Sequence, residues 1–180
     1  MKLFEKNILG GLSIAIASCI YLQFNGIVGA FLFSIGLFLI LNMGFKLFTG
    51  TVGYIKSKED VRDNLIILIG NIIGTCGSLV LPIGPAGPVV AAKLSAPLPI
   101  TFIEGVICGI FIYSAVACYR RDKDYMVPIC VAGFILCGAE HCIADLCYVL
   151  MANALSFESV LFLLVVAAGN AVGALLIDRI

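Results

Sequence analysis

Charge is what this chain has least of. Of its 180 residues only 12% are Asp, Glu, Lys or Arg, and none of these four occurs in the 39 residues from Asn7 to Phe45. Soluble domains carry about a quarter of their residues as charges, so water is excluded as the main solvent of this fold. The 11 basic and 11 acidic residues cancel, which removes any electrostatic reason to expect a nucleic-acid partner. There is one histidine, His141, and the eight cysteines make no C-x-x-C pair and no metal-ligand spacing. No metal site or cofactor is expected, and the cysteines read as small buried hydrophobes. Linkers, low-complexity tracts and any soluble block are missing as well, which leaves one domain over residues 1–180.

What is present is apolar length. The mean hydropathy is +1.14, and the uncharged run is about twice the roughly 20 residues one helix needs to cross hydrocarbon. Two spans share it, divided at Gln23-Phe24-Asn25-Gly26, where polar and turn-forming residues interrupt the pattern. The first covers about 8–22 and the second starts near Ile27. Further apolar runs lie at about 64–81, 99–119, 125–152 and 157–177. The predicted architecture is an all-α integral membrane protein of six spans, two of them broken. A signal peptide over residues 1–22, with Lys2 and Lys6 before an apolar stretch, is the weaker reading, because another span follows at once with no cleavage site.

Basic residues orient such a chain. With the N-terminus inside, Lys2, Lys6, Lys56, Lys58, Arg62, Arg120, Arg121, Lys123 and Arg179 are cytoplasmic, Lys93 alone is outside, and Lys46 is within the membrane. Both termini are therefore expected in the cytoplasm. Five of the six prolines fall between Leu81 and Pro99, predicting an extended external connection between spans three and four. Pro128 stands at the entry of the fifth span, where a missing N–H is harmless.

Gly70-Asn71-Ile72-Ile73-Gly74 in span three answers Gly169-Asn170-Ala171-Val172-Gly173 in span six. Three spans per half invert one repeat, about 8–81, relative to the other, about 99–177. The middle span of each half carries an irregular polar segment: Gly44-Phe45-Lys46-Leu47-Phe48-Thr49-Gly50 in one, Gly138-Ala139-Glu140-His141-Cys142-Ile143-Ala144-Asp145 in the other. Unwound backbone survives in a membrane only where protein or a polar cavity receives it, so two opposed breaks predict a pore within one subunit. Gly-x-x-x-Gly spacings in spans three and six let helices close around it.

These residues resemble the formate/nitrite transporter family. Leu47-Phe48-Thr49-Gly50-Thr51 is similar to that family's L-F-T-[GS] loop, and the 138–145 segment to its G-F-E-H-S-[IV]-A-N. The two G-N-x-x-G elements match too, as does Asp122-Lys123 ahead of the histidine segment, so the resemblance covers nearly the whole chain. It implies an aquaporin-like fold, a homopentamer in the cytoplasmic membrane with a pore in every subunit, and no cofactor. Its activity would be passage of small monovalent anions or their conjugate acids: formate first, nitrite or hydrosulfide next.

Residue by residue, the resemblance makes His141 the central hydrogen-bond or proton donor, since imidazole titrates near physiological pH. Thr49 faces it across the pore with a hydroxyl that can donate. Leu47 and Phe48 form apolar constrictions, and Lys123 raises the local anion concentration at the cytoplasmic mouth. Asn71 and Asn170 bond backbone freed by the breaks, and Glu140 orients its surroundings.

Departures from the family pattern set further expectations. Asp145 replaces the family's Asn one turn from His141 and is expected to hydrogen-bond it, widening the pH range over which the imidazole is charged. Lys46 stands where an acid commonly precedes L-F-T, and Glu104 where a base commonly opens span four; the two are expected to pair. The segment before span one is too short for an amphipathic gating helix. Two alternatives compete. A membrane-embedded enzyme built on Glu140, His141 and Asp145 needs further converging groups, and no H-E-x-x-H or C-x-x-C supplies them. A neutral-solute pore of aquaporin type would carry paired N-P-A loops, which are absent.

Overall fold

The computed structural model of the chain describes residues 3–81 and 85–179. Lys2 and Pro82, both used above, lie outside the described residues. All regular structure among the described residues is helical: α1 Leu3–Phe24, α2 Gly26–Met43, α3 Phe48–Thr51, α4 Lys58–Thr75, α5 Ala86–Leu94, α6 Leu98–Tyr119, α7 Met126–Leu136, α8 Cys142–Met151 and α9 Phe157–Asp178. Short 3-10 turns extend α3 through Tyr54 and α4 through Val80.

Among the described residues five helices are long and apolar enough to cross a bilayer: α1, α2, α4 with its 3-10 extension, α6 and α9. The chain reverses between α1 and α2 at Asn25 and Gly26, with φ of 50° and 54°. Positive φ costs glycine nothing, while Asn25, at ψ 176°, lies outside the left-handed helical well. The helices α4 and α9 each begin with a capping box: the Ser57 hydroxyl accepts from the Asp60 N–H at 3.2 Å, and the Ser156 hydroxyl from the Ser159 N–H at 3.2 Å.

Both predicted breaks are breaks in the helices, but of unequal shape. In the first half α2 is complete and only the four-residue α3 follows. In the second, α7 and α8 have 11 and 10 residues, neither long enough to cross alone. Glycines at φ 65° (Gly44) and φ 77° (Gly138) open the two breaks.

Small residues decide which helices meet. A Cβ on Gly74 would overlap the Ile8 carbonyl oxygen, and one on Gly173 the Val106 carbonyl oxygen, so α4 lies directly on α1 and α9 directly on α6. Beyond their charged first turns, α4 and α9 turn the polar Asn71, Thr75 and Asn170 inward, fully buried, whereas Leu65, Ile69, Ile72, Leu161 and Leu164 face out. An apolar exterior around a polar seam suits lipid rather than water.

The connection between the third and fourth spans is not the extended segment its prolines predicted. It holds α5, because Pro85 is the N-cap and Pro88 lies in the first turn, where no intrahelical N–H is needed. Ala86 and Val90 pack α5 onto the body of the protein. The cysteines are free; five are buried, but Cys76 and Cys137 are exposed rather than core residues.

Candidate functional site

The two breaks are held by the same three hydrogen bonds. The Asn71 side chain accepts from the Phe48 N–H at 2.8 Å and donates to the carbonyls of Lys46 (2.8 Å) and Asn7 (2.7 Å). Asn170 accepts from the Cys142 N–H at 3.0 Å and donates to the carbonyls of Glu140 (2.8 Å) and Gly105 (2.9 Å). Each amide thus satisfies a donor and an acceptor that the unwound backbone cannot satisfy for itself. A fourth pairing recurs as well: the Lys46 N–H donates to the Lys6 carbonyl and the Glu140 N–H to the Glu104 carbonyl.

These bonds bring Thr49 and His141, 92 residues apart in sequence, to 2.9 Å between the hydroxyl oxygen and Nε2. Both are buried, as are Leu47 and Phe48 beside them. His141 is also the N-cap of α8, and its Nδ1 accepts from the Ala144 N–H at 3.1 Å. With Nδ1 occupied as an acceptor, a neutral imidazole carries its proton on Nε2, which donates to Thr49. The Phe134 ring stacks on the imidazole, with centroids 5.9 Å apart and planes at 24°. The ring is thereby fixed at both nitrogens and on one face.

A cavity opens on either side of this pair, and the two share no lining residue. One, of about 170 Å³, is walled by His141, Phe134, Tyr21, Tyr148, Glu140 and Lys93, among others. The other, of about 180 Å³, is walled by Leu47, Gly50, Lys46, Tyr119 and Arg120 with neighbouring apolar residues.

Lys93, the one basic residue assigned to the outer side, reaches into the first cavity from α5. Its ammonium pairs with the Glu140 carboxylate and, at 3.0 Å, with Asp145 Oδ1. It also lies 5.9 Å from the centroid of the Tyr148 ring. Asp145 is 2% exposed, and its Oδ2 has no partner. Asp145 therefore does not hydrogen-bond His141, whose two nitrogens are taken by Thr49 and Ala144. A carboxylate out of water is better served by a full ammonium charge than by a neutral ring.

No ion pair joins Lys46 to Glu104 among the described residues. Lys46 lines the second cavity, whereas the Glu104 carbonyl is bound to Glu140 on the wall of the first. By the duplicated backbone bonds Lys46 corresponds to Glu140, and Glu104 corresponds to Lys6. Lys123 is exposed in the turn between α6 and α7 and lines neither cavity.

Lys93, Arg120 and Phe134 were missed as site residues. Only Lys93 left a trace in the sequence, as the lone basic residue between Arg62 and Arg120. A cation isolated in so long an apolar stretch needs a buried partner.

This is the geometry of a membrane transport protein, with two opposed helix breaks meeting at a buried hydrogen-bonding pair between two cavities. The formate/nitrite transporter family model matches residues 1–178, and the chain belongs to that family. It is a multi-pass membrane protein. Among curated proteins it is similar to the formate channel FocA of Haemophilus influenzae, with 24% identity over 146 residues, 67% of this chain and 51% of that protein. The chain thus spans about half the length of that relative. Two solved structures share its fold. A pentameric formate channel with formate bound is 24% identical with a TM-score of 0.83, covering 98% of this chain and 93% of that one. An ion channel of the same family is 20% identical with a TM-score of 0.82, covering 97% and 86%.

Proposed function

We propose that this protein carries small monovalent anions or their conjugate acids across the cytoplasmic membrane, with formate the leading substrate and nitrite or hydrosulfide the next. The reading is of a channel and not an enzyme. The observation that carries it is the buried Thr49–His141 hydrogen bond between two cavities, at the meeting point of two broken helices.

In this reading, six crossings form two inverted repeats of three, the fifth made of α7 and α8 end to end; the duplicated hydrogen bonds of Asn71 and Asn170 support it. A permeant oxygen takes over the bonds that Thr49 and His141 now make to each other. Leu47 and Phe48 keep this point free of bulk water. Moving a bare anion through so dry a passage is costly, and a permeant that is protonated, or fully hydrogen-bonded by Nε2–H and a hydroxyl, avoids much of that cost. Lys123 sits at the cytoplasmic mouth as a distant attractor for anions. The exposed apolar side chains of the long helices meet lipid and the neighbouring copies of a homopentamer. Both termini lie in the cytoplasm in this reading, on the positive-inside rule: Lys56 pairs with Asp178 at the end of α9, and Arg120 reaches the same corner through Tyr54 and Tyr113.

The test is flux in proteoliposomes. Formate, nitrite and hydrosulfide are each imposed as gradients, and swelling and internal pH are followed for wild type and His141→Phe. Wild type should pass at least one of the three, and the variant should be slower by about tenfold or more, equivalent to about 1.4 kcal/mol of barrier. Equal flux in the two proteins would remove His141 from the path. No flux of any anion through the wild type would overturn the function and return the neutral-solute reading.

A further inference from the structure

The two cavities differ in a way that the sequence motifs do not announce. In the His141 cavity the one cation among the described lining residues, Lys93, is engaged by two carboxylates. In the Leu47 cavity there are two cations, Lys46 and Arg120, and no carboxylate among the lining residues. Lys46 is half-buried and belongs to no ion pair among the described residues. The left-handed turn at Gly44 and the bond from its own N–H to Lys6 hold its backbone in the cavity wall. Lys6 itself adds to the positive charge nearby, its Nζ lying 3.8 Å from the position a Cβ on Gly44 would take.

Arg120 is held by an aromatic stack rather than by an acid. Its guanidinium lies 3.9 Å from the centroid of the Tyr54 ring, which stacks on Tyr113 at 5.0 Å and 29°. The Tyr113 hydroxyl donates to Asp178 Oδ1 at 2.7 Å, and the other oxygen of that carboxylate takes Lys56 at 2.5 Å. The nearby acid is therefore spent on a tyrosine and a different lysine. Stacking fixes a guanidinium in place while leaving its N–H groups free to bind something else. Lys46, half-buried, and Arg120, exposed, thus place two unneutralised cations beside an apolar constriction and create a local positive potential there.

We infer that the Leu47 cavity is an anion-binding vestibule, in which Lys46 and Arg120 hold a small monovalent anion before it reaches Thr49. About 180 Å³ is enough for a small oxyanion with several waters. The inference rests on the transport reading above and adds sidedness to it. Anions approaching through this vestibule are concentrated, and those approaching from the Lys93 side are not. Lys46 and Arg120 are thus binding residues for entry from one face.

The experiment uses formate as probe and measures initial flux against concentration from both faces, in intact cells and in everted vesicles of a host without formate transport of its own. Lys46→Met and Arg120→Gln should each raise the half-saturating formate concentration about three- to tenfold for entry from the Lys46 face. They should leave entry from the other face within about twofold, and Lys46→Arg should restore the wild-type value. Raised ionic strength should weaken entry from the Lys46 face in the wild type and have less effect in the variants. Equal changes at both faces, or none at either face in proteins that still carry formate, overturn the vestibule while leaving the transport reading intact. Absence of wild-type formate flux in both preparations overturns the two together. Should one variant fail to reach the membrane, the other decides, because Lys46 comes from the break after α2 and Arg120 from the end of α6.

Discussion

The two helix breaks are alike in backbone and unlike in chemistry. At each, an asparagine on the facing long helix accepts one N–H and donates to two carbonyls, so the framework is one solution used twice. The side chains hung on it diverge. Lys46 in the first half corresponds to Glu140 in the second, and Leu47 corresponds to His141. One break therefore presents an apolar plug beside free cations, the other an imidazole beside a neutralised ion cluster. Backbone hydrogen bonds specify where the chain unwinds, and the residues flanking them choose what the opening does.

The strongest test of the shared framework is to remove it. Asn71→Ala and Asn170→Ala each strand one N–H and two carbonyls in buried surroundings, at a cost of about 1–3 kcal/mol for every group left unsatisfied. Thermal unfolding in mild detergent should show losses of several kcal/mol and a sharp fall in folded yield, nearly equal for the two variants. A severe loss at one site and none at the other would break the equivalence.

The next test separates the halves. Lys93→Met leaves Glu140 and Asp145 facing each other without a cation, and removing one partner from a buried pair costs about 3–5 kcal/mol. The matching change in the other cavity, Lys46→Met, breaks no ion pair and should shift stability by no more than about 0.5 kcal/mol. Equal effects in the same melting assay would show that Lys46 has a carboxylate partner after all.

The smallest expected effect sharpens the His141 side alone. Asp145→Asn keeps an oxygen for Lys93, leaves Glu140 as the counter-charge and removes the buried oxygen that has no partner. Its stability should stay within about 1 kcal/mol of wild type. In the Lys93→Met background the same substitution should recover part of the loss, a coupling that a double-mutant cycle reads directly.

Much of the scaffold was legible before any coordinates. The turn at Asn25-Gly26 and the breaks near Gly44 and Gly138 stood out because polar residues and glycines interrupt apolar runs that otherwise have no reason to stop. The G-N-x-x-G pairs were legible because the same five-residue pattern stood in both halves. The order within the 81–99 segment was not. Its prolines suggested extended chain, and only the packing of Ala86 and Val90 shows that they start a helix. The Asp145–His141 and Lys46–Glu104 pairings failed for different reasons: both nitrogens of His141 are taken by Thr49 and Ala144 while Asp145 turns to Lys93, and Lys46 lines the other cavity.

The chain's composition and periodicity determined that it lives in a membrane and where its apolar segments are interrupted, because hydrocarbon forbids charge and unsatisfied backbone wherever the chain runs through it. Which side chains meet was decided by the tertiary structure alone. Thr49 reaches His141, Lys93 reaches Asp145, and Arg120 rests on Tyr54 only after glycine-packed helices bring distant segments into contact. Contacts between residues that far apart depend on helix crossing and depth, which no local pattern of residues encodes.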